Sequence, residues 1–171
     1  MDKATRNLIQ KATQDARQLL EAEFSRQLEG LYDILSNGTI SAEPGSHLDA
    51  TQRIVRQKIV VAIGHEKAGG MSSDEAVSAY IRESSFTFLN RFVALKMMED
   101  RELTQECISR GEQSSGFKEF CGLAPGLTEL PDRGYRLYIE SLFDELSTEI
   151  RVLFDRQSPA SLLWPGRKVL D

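Results

Sequence analysis

The chain has 171 residues, 40% hydrophobic and 27% charged, the size of one globular domain able to bury its own core. Its 21 Lys and Arg against 26 Asp and Glu give a net charge of -5, which excludes a globally basic nucleic-acid binder and confines any such contact to a local patch. No apolar run precedes a small-residue cleavage site, the longest apolar stretch is only Ile59 to Ile63, and Cys107 and Cys121 are too few for a disulfide scaffold. A soluble cytoplasmic chain is expected.

From Ala4 to Leu35 the apolar residues Leu8, Ala12, Ala16, Leu20, Phe24, Leu28, Leu31 and Leu35 recur in steps of four and three, one stripe down a long helix. A heptad through Ile9, Ala12, Ala16 and Leu19 runs into Glu23 and Arg26, so the stripe is read as packing on its own domain, ended by Ser36-Asn37-Gly38. Thr39 to Leu48, with Pro44-Gly45, reads as a loop or at most a short hairpin. Asp49 caps a second helix to Ile63, with Ile54, Val55, Ile59, Ala62 and Ile63 inward and Gly64 as its stop. Ser72-x-x-Glu75 is a capping box opening a third helix through Ile81.

Phe86 to Met98 is apolar on nearly every side, which predicts a buried central helix. Within it, Asn90 and Arg91 form a polar pair read as structural, because a guanidinium amid apolar surface must find a carboxylate or backbone partner. Thr104 to Leu130 has no clear period, four glycines and Pro125, with Gly116 to Phe120 as one helical turn. Asp132 then caps a helix with Tyr135, Ile139, Leu142, Leu146, Ile150 and Leu153 inward and Glu140, Asp144, Glu145 and Glu149 in water. The tail carries Leu162, Leu163 and Trp164 with nothing after it to cover them. The expected fold is all-α, an irregular bundle of five to six helices in one domain, 1-171.

No catalytic constellation emerges. His47, His65, Cys107 and Cys121 lack the close spacing of a zinc site or a recognisable nucleophile pair, and the acids of the last long helix occupy its solvated face. Phe120 to Gly126 has no phosphate-loop spacing. Charge is more informative: Thr51 to Gly70 holds Arg53, Arg56, Lys58 and Lys67 against Glu66 alone, the best candidate for phosphate contacts. Lys3, Arg6, Lys11 and Arg17 form a weaker second patch.

Three stretches carry a family resemblance: Asn90 to Glu99, Gly111 to Lys118, and Tyr135 to Phe154 with the Ser158 to Pro165 tail. On them the chain resembles the N-terminal helical region of large adenine-N6 DNA methyltransferases of type I, type IIG and phage-defence (BREX- or DISARM-like) systems. The resemblance implies a non-catalytic module of a restriction or phage-defence enzyme that packs on the remainder of the parent chain and assists binding of duplex DNA. S-adenosylmethionine belongs to the parent enzyme. This segment has neither a Gly-rich loop after a strand nor Asn-Pro-Pro-Tyr/Phe, so it holds no cofactor and alone has no methyltransferase activity. The alternative is a stand-alone helical interaction or regulatory module that docks through the uncovered tail.

Overall fold

The computed structural model describes residues 2–130 and 134–170. The architecture is all-α: 70% of the chain is helical, and an antiparallel bridge between Ile34 and Ile40 is the only β pairing among the described residues. No helix among them is long and apolar enough to cross a membrane. Among the described residues seven α-helices follow in order: α1 Lys3–Gly30, α2 Ala50–Ala68, α3 Ser73–Asp100, α4 Ser115–Leu123, α5 Tyr135–Ser147, and the single turns α6 Arg151–Phe154 and α7 Arg167–Leu170. Contacts group the chain into two compact units, Met1–Thr87 with Ser158–Val169, and Phe88–Gln157 with Leu170–Asp171.

In the first unit α1 contributes Leu20, Phe24 and Leu28, α2 Ile59 and Ile63, and α3 Ala76, Val77 and Tyr80 to the core. α1 stops at Gly30, earlier than its apolar period suggests, because Asp33 turns to positive φ and Leu35 N–H bonds Thr39 O at 2.9 Å, closing a tight turn. Gly38 sits there at φ +84, and a side chain at that position would collide with Ser73. α2 opens as expected: Asp49 accepts from Gln52 N–H at 2.8 Å while the Gln52 side chain accepts from Asp49 N–H at 2.9 Å. It then runs through Gly64 to Ala68, where Gly69 N–H bonds His65 O. Gly64 costs about 1 kcal/mol in a helix interior, less than the burial of Ile63 returns.

The tail completes this unit instead of lying uncovered. Ala160, Leu163 and Pro165 are buried. Tyr80 Oη donates to Pro159 O at 2.9 Å, Gln27 Nε2 to Trp164 O at 2.8 Å, and Gly166 N–H to Glu23 Oε1 at 3.2 Å. Burial alone would raise the Glu23 carboxyl, but the bonds from Arg26, Gln27 and Gly166 outweigh it and hold it below the usual glutamate range. The expectation of an exposed docking tail is therefore corrected.

The two helices expected over Ser72 to Met98 are one continuous α3 of 28 residues. Its second half is buried on one side only, through Phe88, Arg91 and Leu95, while Val93 and Met97 are exposed. In the second unit Phe92 stands edge-on to Phe143 at 6.5 Å, Phe143 meets Phe154 at 5.6 Å, and Phe117 meets Tyr135 at 5.5 Å. The expected cap Asp132 lies outside the described residues; Gly134, at φ 78, occupies the cap position of α5. α5 ends at Ser147, where the hydroxyls of Ser147 and Thr148 bond the carbonyls of Asp144 and Glu145. The break leaves Ile150 exposed rather than inward.

One carboxylate organises the irregular segment after α3. Glu99 Oε2 accepts from Cys107 N–H at 2.8 Å, Ile108 N–H at 2.7 Å and Ser109 N–H at 3.2 Å, and Lys96 Nζ lies 3.1 Å from Oε1. Burial pushes the Glu99 pKa up, yet these bonds, with that from the Ser109 hydroxyl, bring it down to about 2. The folded value lies below the unfolded one, so this contribution to stability is complete above pH 4.5 and disappears as pH falls toward 2. Replacement Glu99→Gln is predicted to destabilise the chain by roughly 2 kcal/mol at pH 7. Thermal melts of the two proteins should converge between about pH 4.5 and pH 2; a gap that stays constant across that range contradicts this account.

Candidate functional site

The four bases of α2 do not form one surface. Arg56 is only 4% exposed; its Nε donates to Tyr32 O at 2.8 Å and its second nitrogen to Ser41 O. Two loop carbonyls occupy the guanidinium, so the expectation of Arg56 at a phosphate is corrected. Arg53, Lys58 and Lys67 are exposed, but Arg53 Nε donates to Leu48 O at 3.0 Å. Lys58 and Lys67 are nine residues apart, on opposite sides of a helix with about 3.6 residues per turn. Arg53 and Lys67 share a side at a separation of about 21 Å. The burial of Arg56 leaves three separated cations, each able to touch a phosphate singly.

Of the polar pair on α3, Arg91 is buried and bonded to backbone. Its Nε donates to Leu153 O at 2.6 Å and a terminal nitrogen to Asp155 O at 2.9 Å, with the guanidinium carbon 5.4 Å from the Phe143 ring centre. Backbone carbonyls thus supply two of its partners, and the Asp155 charge also favours the guanidinium. Asn90 is half-buried beside it.

Two acids of α5, Glu140 and Asp144, are held in ion pairs. Arg156 bridges Glu140, at 2.8 Å, and Asp144, while Arg136 pairs with Glu140 at 2.8 Å. The Cys107 thiol is buried, which pushes its pKa up to about 11, with the Glu99 charge adding to the effect, so it is protonated at neutral pH. No group of three or more His, Cys, Asp or Glu able to hold a metal occurs among the described residues.

What the fold does expose is the first half of α1. Residues 2–15 are all exposed, Leu8 at 69%, and the first buried residue of the helix is Leu20. The apolar stripe read as core from Leu8 to Ala16 therefore lies on an arm that runs from Lys3 to Leu19, about 24 Å of helix at 1.5 Å per residue. It has two distinct faces. Leu8, Ala12, Ala16 and Leu19, with Ile9 at the edge, fall within about 100° of arc; Lys3, Arg6 and Arg17 fall within about 60° on the opposite side, and Lys11 stands about 80° from them, toward Leu8. Arg17 also pairs with Glu21 at 3.3 Å. Lys3, Arg6 and Arg17, from the second patch in the sequence, thus form the basic face that α2 lacks, with Lys11 at the margin of the apolar face.

The second unit carries a groove of about 390 Å³ between α4, α5 and the segment after α3. Tyr138, Phe120 and Leu142 line it, Leu103 and Leu123 stand exposed beside it at 66% and 83%, and Glu119 and Glu145 are its charged residues. Gly116 admits the Tyr138 hydroxyl, which a side chain there would displace. The aperiodic Thr104 to Leu130 stretch gave no sign of this groove. No family model, curated protein or solved structure matches the chain.

The reassignment of Arg56 has a direct consequence. Arg56→Gln is predicted to lower stability by roughly 3 kcal/mol by stranding the Tyr32 and Ser41 carbonyls. Arg53→Gln, Lys58→Gln and Lys67→Gln should each stay within about 0.5 kcal/mol of the parent. Urea titration followed by circular dichroism checks this, and an Arg56 variant as stable as the parent contradicts it.

Proposed function

We propose that the chain is a non-catalytic helical module that assists an adenine-specific DNA methyltransferase of a restriction or phage-defence system, with the basic face of the α1 arm set against the DNA backbone. The observation that carries the DNA part is the exposed arm itself: Lys3, Arg6, Lys11 and Arg17 stand in solvent on one projecting helix. Cations in such an array each release counterions from DNA on contact, giving sequence-independent affinity with a steep salt dependence. In this reading S-adenosylmethionine and the extruded adenine belong to the catalytic part of the parent enzyme, and this module contributes position.

The affiliation with methyltransferases rests on the three resembling stretches. All of them except the Ser158 to Pro165 tail, which belongs to the other unit, fall in one compact unit, in which Arg91 ties Leu153 and Glu99 ties Cys107 to Ser109. Val93 and Met97, exposed one turn apart on α3, supply apolar surface for packing on a catalytic domain. The second reading, a helical interaction module acting on its own, is favoured by the apolar face of the same arm, with the arm in place of the tail as the docking element.

The test is titration of a fluorescent duplex with the full chain at about 50 and 200 mM salt. The parent should bind at low salt and weaken steeply at high salt. A variant carrying Lys3→Gln, Arg6→Gln, Lys11→Gln and Arg17→Gln should lose affinity, with the log-log salt slope reduced by about 0.9 per contact removed. A variant with Arg53→Gln, Lys58→Gln and Lys67→Gln should bind like the parent. Absence of low-salt binding by the parent, or equal slopes for parent and arm variant, overturns the DNA assignment.

A further inference from the structure

The polar side of the arm carries more than its cations. Lys3, Asn7, Gln10, Gln14 and Arg17 follow one another in steps of four and three and fall within about 80° of arc. All five are exposed, and no side-chain hydrogen bond among the described residues occupies Asn7, Gln10 or Gln14. Arg17 pairs with Glu21 of the next turn at 3.3 Å, and Arg6 and Lys11 stand on the two margins of the stripe. From Lys3 to Gln18 the single acid is Asp15, about 120° from the centre of the stripe. Over those residues an arc of about 160° therefore holds four bases and neither an acid nor an apolar side chain. A face that meets only water mixes both signs, the more so in a chain with 26 acids against 21 bases, whereas a face cleared of acids suits a polyanion.

Between its terminal cations the stripe places three carboxamides. A carboxamide donates and accepts side by side, which matches the N6 amino group and N7 of adenine in the major groove of B-form DNA, a groove wide enough for an α-helix. Asn7 to Gln14 covers about 10.5 Å of helix axis, close to three base-pair steps of about 3.4 Å. We infer that the α1 arm lies in the major groove of duplex DNA, where Asn7, Gln10 and Gln14 contact base edges, adenine above all, while Lys3, Arg6 and Arg17 contact the bordering phosphates. The inference rests on the DNA assignment above and adds base readout to a module given only backbone contacts there. Duplex RNA does not fit this geometry, because the A-form major groove is too narrow for side chains to read.

The test titrates the full chain with a dA·dT duplex and with the same duplex carrying 7-deazaadenine, in which a carbon replaces N7. The exchange removes a major-groove acceptor at every adenine and leaves backbone charge and minor-groove edges as they were. At about 50 mM salt the parent should bind the unmodified duplex on the order of tenfold more tightly or better. A variant with Asn7→Ala, Gln10→Ala and Gln14→Ala exchanges exposed side chains for the best helix former, so the arm stays helical. It should keep the parent's salt slope and bind the two duplexes equally. Steep salt-dependent binding by the parent with no difference between the duplexes overturns the base readout and leaves the DNA assignment standing; no binding to either overturns both. An alanine variant that still discriminates overturns the inference, as does an rA·rU duplex bound as tightly as the DNA.

Discussion

Three charged side chains on the long helices hold the irregular parts of this molecule in place. Arg56 on α2 ties the turn after α1 through Tyr32 and Ser41, Arg91 on α3 ties the end of α6 through Leu153 and Asp155, and Glu99 on α3 gathers the amides of Cys107, Ile108 and Ser109. A backbone group withdrawn from water without a partner costs about 1 to 3 kcal/mol, so segments outside regular helices remain folded against the core only where such partners exist. Each charge meets the complementary backbone dipole, carbonyls for arginine and amides for glutamate, which also offsets its own desolvation. Tyr80, Tyr135 and Gln27 extend the pattern with neutral donors to Pro159, Cys107 and Trp164.

This arrangement explains which parts of the fold were legible in the sequence. Helices whose signals are local, the Asp49–Gln52 capping box and the Ser72–Glu75 pair, begin where those residues place them. Helix ends were harder to read, because Gly64 is tolerated inside α2 by the packing of Ile63, and because Ser147 and Thr148 break α5 against its apolar period. Arg91 was legible as a side chain needing a partner, although only the fold shows that the Leu153 and Asp155 carbonyls serve. Arg56 was not, since a base on an amphipathic helix looks the same in sequence whether it faces water or two loop carbonyls.

The same limit applies to the candidate surfaces. Periodicity locates an apolar stripe but not what covers it, so Leu8 to Ala16 and Phe24 to Leu28 look continuous although only the second part is packed. The break of the heptad at Glu23 marks the change, because Glu23 is the buried acceptor for Gly166 where α1 enters the core. The tail posed the converse problem: Leu163 and Pro165 are covered by helices far earlier in the chain, a relation that no local pattern carries. With loops clasped and the tail packed, the arm is one of the surfaces the fold leaves exposed, and the proposed function rests on it.

The central claim is that buried charges, rather than local turn propensity, hold the irregular segments. Native-state amide hydrogen exchange resolved at single residues tests it most directly, read at Cys107 and Ile108, whose N–H groups have a carboxylate as partner and lie outside any helix. The account predicts that both amides exchange as slowly as those of the buried stretch of α3 and open only with the second unit as a whole. Exchange at the rate of an exposed loop would show that the Glu99 clasp does not hold the segment and would contradict the account.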